Sequence, residues 1–431
     1  MLALALTAWW SVYGDPEMGR LIEKALRGNL DVKKAQARIA EARALSGDAK
    51  SRLQPSLGFQ SSAQQLRGGF QQGVVRIPQT GSGGAPQGGS FVAPFETGIL
   101  QGGLDTKWEI DLWGSNRALL AAAKADTGAE EELARDIAVT VAAEVARAYV
   151  ELRGIEERTA IVERTRTAQR ELLELIRARA DAGLASQLDV ERQGVLLANT
   201  EAALPPLEAE RTARLNRLRV LTGDRALEVP AASRNLEAPD TGEGIDAELL
   251  RRRPDVRAAE ARIAAALART KQARTDLYPK ISFAGLMGRQ STNAAGLSLG
   301  GGNFFSVGPQ IQLPIFSGGR IRSNIAANEA RVDQARADFE REVLAAFEEA
   351  GNAVSQYRQQ RLRAAKLEGA VEAARRALEL AKDVQQAGLE DFLTVLDAQR
   401  SLLDAEYQWS EARTLTLAGS VMVYKAVAGG W

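Results

Sequence analysis

The chain has 431 residues, with 55 basic and 55 acidic side chains and a formal net charge of zero. This balance gives no electrostatic basis for nucleic-acid binding. Cys and His are both absent, which excludes disulfides, thiolate chemistry, the usual zinc sites and histidine acid–base catalysis. We therefore expect neither an enzyme nor a protein that carries a cofactor or a resident metal.

The first segment, residues 1–28, opens with the apolar stretch MLALALTAWW. This stretch is too short for a complete signal peptide and lacks a basic region before it. No run of 18 apolar residues follows anywhere in the chain, so the sequence predicts no membrane-spanning helix.

Beyond residue 28 the sequence repeats itself at a constant spacing of 224 residues. Residues 29–59 align without a gap with residues 253–283, so that Asp31 matches Asp255 and Pro55 matches Pro279. Two later matches, LWGSNR with IFSGGR and AGLASQLDV with AGLEDFLTV, extend the similarity. A period of about two hundred residues indicates a duplicated domain and not a short-repeat solenoid. We place the first repeat at 29–223 and the second at 253–409, with helices predicted at their starts, over 29–52 and 255–276.

A β-hairpin is predicted next in each repeat, over 53–113 and 277–316. In the first, Leu104, Thr106, Trp108, Ile110 and Leu112 alternate with charged residues, which gives a strand one apolar and one charged face. Residues 305–315 alternate in the same way. Glycine-rich stretches, Gly300 to Gly302 among them, are interpreted as the exposed loops that connect the strands.

Long helices are predicted after the hairpins, over 115–181 and 319–386, because these stretches contain no proline and are dominated by Ala, Glu, Arg and Leu. Each would be roughly 100 Å long at about 1.5 Å per residue. An Ala-Gly pair ends each one, and return helices are predicted over 185–223, bent at Pro205 and Pro206, and over 389–409. Such long helices must pack side by side. A linker, 224–252, and a C-terminal segment, 410–431, complete the chain.

The strands restrict the architecture, since four strands cannot close a barrel, for which about eight are the usual minimum. An open sheet edge is too costly in lipid. Either several chains contribute strands to one membrane barrel, or the strands form a soluble β-sandwich. The long helices favour a barrel that continues into a tube of helices.

Four long stretches resemble the TolC-like outer-membrane efflux factors, and most of all their NodT/OprM-type branch, which works with RND pumps. They are WEIDLWGSNR from residue 108, LLRRRPDVRAAEARIAAA from 249, LPIFSGGRIRSNIAANEA from 313 and AGLEDFLTVLDAQRSLLDAE from 387. The resemblance covers nearly the whole chain in the same order. Members of that branch often carry a lipidated cysteine just before the WW segment, whereas this sequence contains none.

The resemblance implies an internally duplicated α+β membrane protein that acts as a homotrimer. Four strands from each chain would form a twelve-stranded outer-membrane β-barrel, which continues into a twelve-helix periplasmic α-barrel. Residues 1–28, 224–252 and 410–431 would contribute to a mixed equatorial domain.

The implied function is a passive exit duct in the outer membrane of a Gram-negative bacterium, extending into the periplasm. It would dock to a periplasmic adaptor and an inner-membrane RND transporter and export small molecules or drugs. Two alternatives remain from the sequence: the outer-membrane channel of a type I protein secretion system, and a soluble coiled-coil scaffold.

Candidate site residues follow from this resemblance. At the periplasmic tips, threefold symmetry would turn Asp181, Glu390 and Asp391 into carboxylate rings at an aperture, with Leu389 as a hydrophobic gate. The alternatives are helix-capping carboxylates, a role also open to Asp189, and for Leu389 a buried contact between the paired helices. Adaptor docking is assigned to Gly183, Leu184, Ser186, Gly388 and Leu389. Trp108 and Trp113 are candidates for an aromatic belt at the membrane interface, with packing where the barrel meets the tunnel as the alternative for Trp113.

Overall fold

The computed structural model describes residues 8–69, 94–231, 236–239, 251–294, 297–387 and 389–427. Two compact units divide the chain. The helical unit comprises Met1–Ala42, Asp126–Ile263 and Gln334–Trp431, and the sheet unit comprises Arg43–Ala125 and Ala264–Asp333. The candidate tip residues belong to the helical unit, and both candidate tryptophans belong to the sheet unit.

The helices and strands follow the order that the sequence predicts within each repeat. The helices are α1 (Pro16–Gly28), α2 (Leu30–Ser51), α3 (Ser115–Asp181), α4 (Gln187–Ala202), α5 (Leu204–Thr222), α6 (Pro254–Thr275), α7 (Arg320–Gln386) and α8 (Phe392–Ala426). The strands are β1 (Ser56–Gly69), β2 (Pro94–Ile110), β3 (Lys280–Ala294) and β4 (Leu297–Gln312). None of the helices among the described residues is both long and apolar enough to cross a bilayer.

The four strands form one antiparallel sheet whose order, β1-β2-β3-β4, is the chain order. Side chains alternate between its two faces. One face, called the apolar face below, is built of exposed hydrophobic side chains. They are Leu57, Phe59, Leu104, Trp108, Phe283, Met287, Phe305, Val307 and Ile311. The opposite face, called the polar face, carries Gln60, Asp105, Lys107, Glu109, Ser282 and Gln310.

The interpretation of Gly300 to Gly302 as a loop is wrong. These glycines lie inside β4, where Gly301 pairs with Ser291 and Gly302 with Gln290. In the first hairpin, β2 likewise extends back to Pro94, well beyond the alternating stretch. The reason is that glycine has no side chain to show the two-residue period, although its backbone pairs as well as any other.

The core of the helical unit gathers the N-terminal segment onto the long helices. Met18, Leu21 and Ile22 of α1 are fully buried together with Tyr149 of α3 and Val421 of α8. Asp15 caps α1, accepting hydrogen bonds from the backbone N–H groups of Glu17 at 2.8 Å and Met18 at 3.4 Å. The cap and the buried face together explain why a helix forms inside the predicted segment 1–28.

Two return helices differ in extent from the prediction. The stretch 185–223 contains two helices, α4 and α5, and Pro205 and Pro206 lie in the first turn of α5, where a missing N–H costs nothing. The stretch 389–409 is only the beginning of α8, which continues to Ala426. Its last part buries Val421, Val423 and Ala426, and this burial outweighs the modest helix propensity of its β-branched residues.

Candidate functional site

The turn between α3 and α4 is closed by hydrogen bonds at both helix ends. Gly183 has a φ of +73°. Its N–H donates to the carbonyl oxygen of Ala180 at 2.9 Å, and the N–H of Leu184 donates to that of Arg179 at 2.8 Å. This pair of bonds is the Schellman arrangement, in which the left-handed residue is usually glycine. Gly183 therefore has a structural reason to be present whatever docks against it.

The start of α4 uses the other two polar residues of this turn. Ser186 Oγ accepts a hydrogen bond from the N–H of Leu188 at 3.1 Å, and Asp189 Oδ2 accepts one from the N–H of Ser186 at 3.3 Å. This is a capping box. Asp189 thus has the capping role considered from the sequence, and it is not a free carboxylate at the tip.

Asp181 and Leu184 point away from the rest of the chain at the same turn. Both side chains are exposed, and Leu184 is 78% exposed. An exposed leucine between two capped helices adds little to the stability of a single chain. This position is therefore available for contact with another protein.

The second turn, between α7 and α8, presents its candidates in a different way. The Leu389 side chain is 76% exposed, which is incompatible with a buried contact between helices of the same chain. Asp391 is the N-cap residue of α8, but its side chain makes no capping hydrogen bond. Glu390 Oε2 accepts a hydrogen bond from Thr394 Oγ1 at 3.4 Å. Gly388 lies outside the described residues.

Phe392 connects the two turns and is a residue that the sequence reasoning missed. It packs against Leu173, Ile176 and Val190 of the first helix pair and also against Val395 and Leu378 of the second. The structure therefore brings both turns to one packed end of the helical unit. The available signal was an aromatic residue directly after an N-cap position, which often fixes the direction in which a chain enters a helix.

The two candidate tryptophans are held by hydrogen bonds at the helix-proximal end of the sheet. Trp108 lies on the apolar face, and its indole N–H donates to the carbonyl oxygen of Leu53 at 3.1 Å. The indole N–H of Trp113 donates to the carbonyl oxygen of Pro279 at 2.8 Å, and its ring stacks on Tyr278 with 4.9 Å between ring centroids. Trp113 is thus engaged in local packing, whereas Trp108 belongs to the exposed apolar surface.

A second polar cluster that the sequence reasoning did not assign to a site lies in the helical unit. Arg253 Nη2 contacts Asp255 Oδ2 at 2.7 Å and Glu349 Oε2 at 2.8 Å, and Lys425 Nζ contacts Glu349 Oε1 at 2.7 Å. Arg253 Nη1 also donates to the carbonyl oxygen of Ala426 at 2.8 Å. The cluster joins the starts or ends of α6 and α8 to the middle of α7.

Charges in this cluster shift two carboxyl groups in opposite directions. Burial, reinforced by the nearby charge of Asp255, raises the pKa of Asp136 above its ordinary value. Burial acts in the same sense on Glu349, but hydrogen bonds from Lys425 and Arg253 outweigh it and lower the pKa of Glu349. Both groups have structural partners, and the arrangement serves to hold helices together.

Comparisons with known proteins agree on one class. A family model described as outer membrane efflux protein matches residues 21–224 and 247–429. The pyoverdine export outer membrane protein OpmQ of Pseudomonas aeruginosa is 30% identical over 435 residues, covering 98% of this chain and 87% of the relative.

Two further comparisons cover similar lengths. The solvent efflux pump outer membrane protein SrpC of Pseudomonas putida is 30% identical over 438 residues, covering 100% of this chain and 89% of the relative. The solved structure of the outer-membrane channel OprN has a TM-score of 0.83 to this chain at 34% identity, covering 98% of this chain and 92% of that one.

Proposed function

Because this chain belongs to the outer membrane efflux protein family, we propose that three copies assemble into one continuous exit duct across the outer membrane of a Gram-negative bacterium. The chain is an outer-membrane efflux channel protein and a conduit, not an enzyme. The efflux function predicted from the sequence is confirmed. The secretion channel and the soluble scaffold find no support among the relatives.

The single observation that carries the trimer proposal is the two-faced sheet. Its apolar face is exposed, with Phe59 at 72% and Phe305 at 74% exposure, and that is the surface that hydrocarbon requires. Its outer strands, β1 and β4, each pair with only one neighbour among the described residues. In a bilayer these edges need partners, and β1 of one copy against β4 of the next supplies them. Three copies would give a twelve-stranded barrel.

Helices of equal length support the companion proposal of a twelve-helix periplasmic α-barrel and of an internal duplication. Both α3 and α7 have 67 residues, and each follows a pair of strands. Each is followed by a turn and a shorter returning helix. Three copies of two such helix pairs provide the twelve helices.

Oligomeric state and conductance test this proposal directly. We expect native mass spectrometry of the detergent-extracted protein to give the mass of three chains. The same sample should form ion-conducting pores in planar bilayers. A monomer that gives no conductance would refute the shared barrel.

We further propose that the exported compounds are small molecules and that the duct docks to a periplasmic adaptor and an inner-membrane RND transporter. The relatives are named for pyoverdine export and for solvent efflux. The absence of Cys and His in this chain fits a duct that passes its cargo without binding it through metal or thiol chemistry.

At the tips, we propose that Asp181, Glu390 and Asp391 form rings of carboxylates at the periplasmic aperture and that Leu389 narrows it. Exposure of all four side chains supports this role, and so does the free capping position of Asp391. Rings of carboxylates favour cations in a pore.

Single-channel recordings of Asp391→Ala and Glu390→Ala test the aperture. We expect both variants to lower the permeability ratio of cations to anions relative to the parent. Glu208→Ala is the matched control, since it removes an exposed carboxylate from α5. Unchanged selectivity in both tip variants would remove the carboxylate rings from the proposal.

Adaptor docking is proposed for the exposed turn residues Gly183, Leu184, Ser186 and Leu389, together with Gly388. The two leucines offer apolar contact area that the chain itself leaves uncovered. Leu184→Ala and Leu389→Ala should weaken binding of the cognate adaptor in surface plasmon resonance. Leu175→Ala, which truncates an exposed leucine within α3, is the control; equal loss in all three would argue against a specific tip contact.

Trp108 is proposed to lie at the periplasmic interface of the membrane, because it ends the apolar face on the side nearest the helices. For Trp113 the stacking on Tyr278 supports packing beside the sheet as a role at least equal to membrane contact.

A further inference from the structure

The apolar face carries one arginine, Arg289, at the row where its hydrophobic side chains give way to polar ones. We propose that Arg289 binds the phosphate of a lipid in the outer leaflet of the membrane. This inference rests on the proposed function, since it requires the apolar face to point at lipid.

The position of Arg289 follows from the register of the sheet. Phe59, Leu104, Met287 and Phe305 form one continuous apolar row across the four strands. The next row on the same face, toward the hairpin ends, is Ser61, Gly102, Arg289 and Asn303. An abrupt change from large apolar to polar side chains on a lipid-facing surface marks the edge of the hydrocarbon layer.

Arg289 lacks an acidic partner, unlike other cations of the sheet unit. Arg274 contacts Glu329 at 2.7 Å, and Lys280 contacts Asp276 at 2.9 Å. Arg289 is exposed and makes no ion pair or side-chain hydrogen bond within the described part of the chain. Its cross-strand neighbours, Gly102 and Asn303, carry no charge. The counter-charge for this guanidinium must therefore come from outside the chain.

The surroundings of Arg289 leave space for a headgroup. Gly102 has no side chain, and so has Gly301 in the following row, which makes the surface shallow on both sides of the arginine. Ser61 and Asn303 add a hydroxyl and an amide in the same row. A guanidinium flanked by neutral donors suits a phosphate, which it can bind through two parallel hydrogen bonds.

A lipid phosphate fits better than a free phosphate because of the apolar row directly beside Arg289. Met287 and Phe305 would contact acyl chains while the guanidinium reaches the headgroup, as long basic side chains do at membrane interfaces. Arg289 lies nearer to the turn between β3 and β4 than to the end of the sheet that adjoins the helices. With the helices in the periplasm, that turn faces the cell exterior, and the leaflet concerned is the outer one.

Native mass spectrometry with added bisphosphorylated lipid A tests the inference on the intact trimer. We expect Arg289→Gln to weaken lipid binding about fivefold per site, the effect of about 1 kcal/mol for one basic side chain at an anionic surface. Arg289→Lys should retain part of the affinity. The control is Lys107→Gln, which removes one positive charge from the polar face, and it should bind lipid as the parent does.

Lipid A without its phosphates should bind the parent as weakly as bisphosphorylated lipid A binds Arg289→Gln. Inorganic phosphate at millimolar concentration should not displace the bound lipid. Equal lipid binding by the parent and Arg289→Gln, equal binding of the dephosphorylated lipid, full displacement by inorganic phosphate, or an equal loss in Lys107→Gln would each overturn the inference.

Oligomer mass and bilayer conductance of the same samples separate this inference from the function beneath it. A conducting trimer in which Arg289→Gln changes nothing would overturn the lipid site alone. A parent protein that neither trimerises nor conducts would overturn the proposed function and the lipid site with it.

Discussion

Gly183 shows how a single backbone angle decides the geometry of a functional turn. Its φ of +73° lies in the left-handed region, and a Cβ added there would meet no atom within 4 Å. A side chain at this position would thus have room, and its cost would be purely conformational, roughly 1–2 kcal/mol. Such a cost is local to the turn.

We therefore expect Gly183→Ala to loosen the turn without unfolding the helices. Hydrogen–deuterium exchange should become faster for the amides of residues 182–190 and stay unchanged in the middle of α3. Gly194→Ala in α4 is the matched control, since it also has open space but an ordinary helical φ, and it should stabilise the helix slightly. Equal exchange in both variants would contradict the role of the φ angle.

Asp136 and Glu349 make opposite predictions for the pH dependence of stability. The raised pKa of Asp136, caused by burial and by Asp255, means that its ionisation opposes folding once the pH exceeds the unfolded-state value near 3.9. The lowered pKa of Glu349, held down by Lys425 and Arg253 against the effect of burial, means that its ionisation favours folding above the unfolded-state value near 4.3. Arg253 and Lys425 face both groups.

At pH 7 we accordingly expect Asp136→Asn to raise the thermal midpoint and Glu349→Gln to lower it. Both differences from the parent should shrink as the pH falls through about 4, where the carboxyl groups become protonated in the unfolded chain. Circular dichroism melting curves at several pH values would measure this. Shifts of the same sign at pH 7 would show that packing and not charge governs the cluster.

At the scale of elements, the crossing of α3 and α8 depends on a residue without a side chain. A Cβ at Gly154 would lie 2.1 Å from Thr414 Oγ1 and 2.6 Å from its Cγ2. These contacts are far below ordinary van der Waals distances, so the two helices must separate or distort to admit even one methyl group. Gly154 therefore sets the closeness of this helix pair.

Gly154→Ala should destabilise the protein by about 1–3 kcal/mol through overpacking. Gly128→Ala in the same helix has open space around the new Cβ and should stabilise by about 0.5–1 kcal/mol. Denaturant titrations of the two variants compare a clash with a pure helix-propensity effect. Stabilisation by both substitutions would mean that α3 and α8 do not approach as closely as the structure has them.

The elements differ in how well the sequence alone predicts them. The long helices were accessible because proline is absent and the ends carry Ala-Gly pairs, and α3 and α7 begin and end within a residue of the expected positions. The end of α8 was not, because Thr414, Thr416 and Val421 favour strands by composition and are helical only through burial. Strand ends at Pro94 and Leu297 were hidden by glycines that show no alternation.

Among the site residues, what could be predicted was their place in the turns. Whether Leu389 is buried or exposed depends on how two helix pairs pack, and no spacing within the sequence encodes it. The same holds for Asp391, whose side chain leaves its capping position unused. The partner of Trp113, Tyr278, is 165 residues away in sequence, so only the folded sheet unit brings them together.

At the scale of the whole molecule, the apolar face is the feature on which membrane insertion depends. A charge placed in its middle would cost about 2–4 kcal/mol in each chain if that face meets hydrocarbon, and a trimer would bear this cost three times. The polar face, lining a water-filled lumen, should accept the same charge without loss.

Phe305→Glu should therefore deplete the protein from the outer-membrane fraction and prevent trimer formation, as measured by fractionation and native gel electrophoresis. Gln310→Glu, on the polar face of the same strand, should insert and assemble as the parent does. If Phe305→Glu assembled normally, the apolar face would not be the lipid-facing surface.

The chain-order arrangement of the sheet has a consequence for biosynthesis. Strands β1 with β2, and β3 with β4, are neighbours in sequence, whereas β2 with β3 joins segments about 170 residues apart, Trp108 lying opposite Phe283. Closing such a distant contact is entropically expensive and slow. Each hairpin can form soon after its own synthesis, but the seam between them must wait until most of the polypeptide has crossed into the periplasm. During that delay two half-sheets expose apolar surface and unsatisfied edges, and a holding chaperone is needed to keep nascent copies from aggregating.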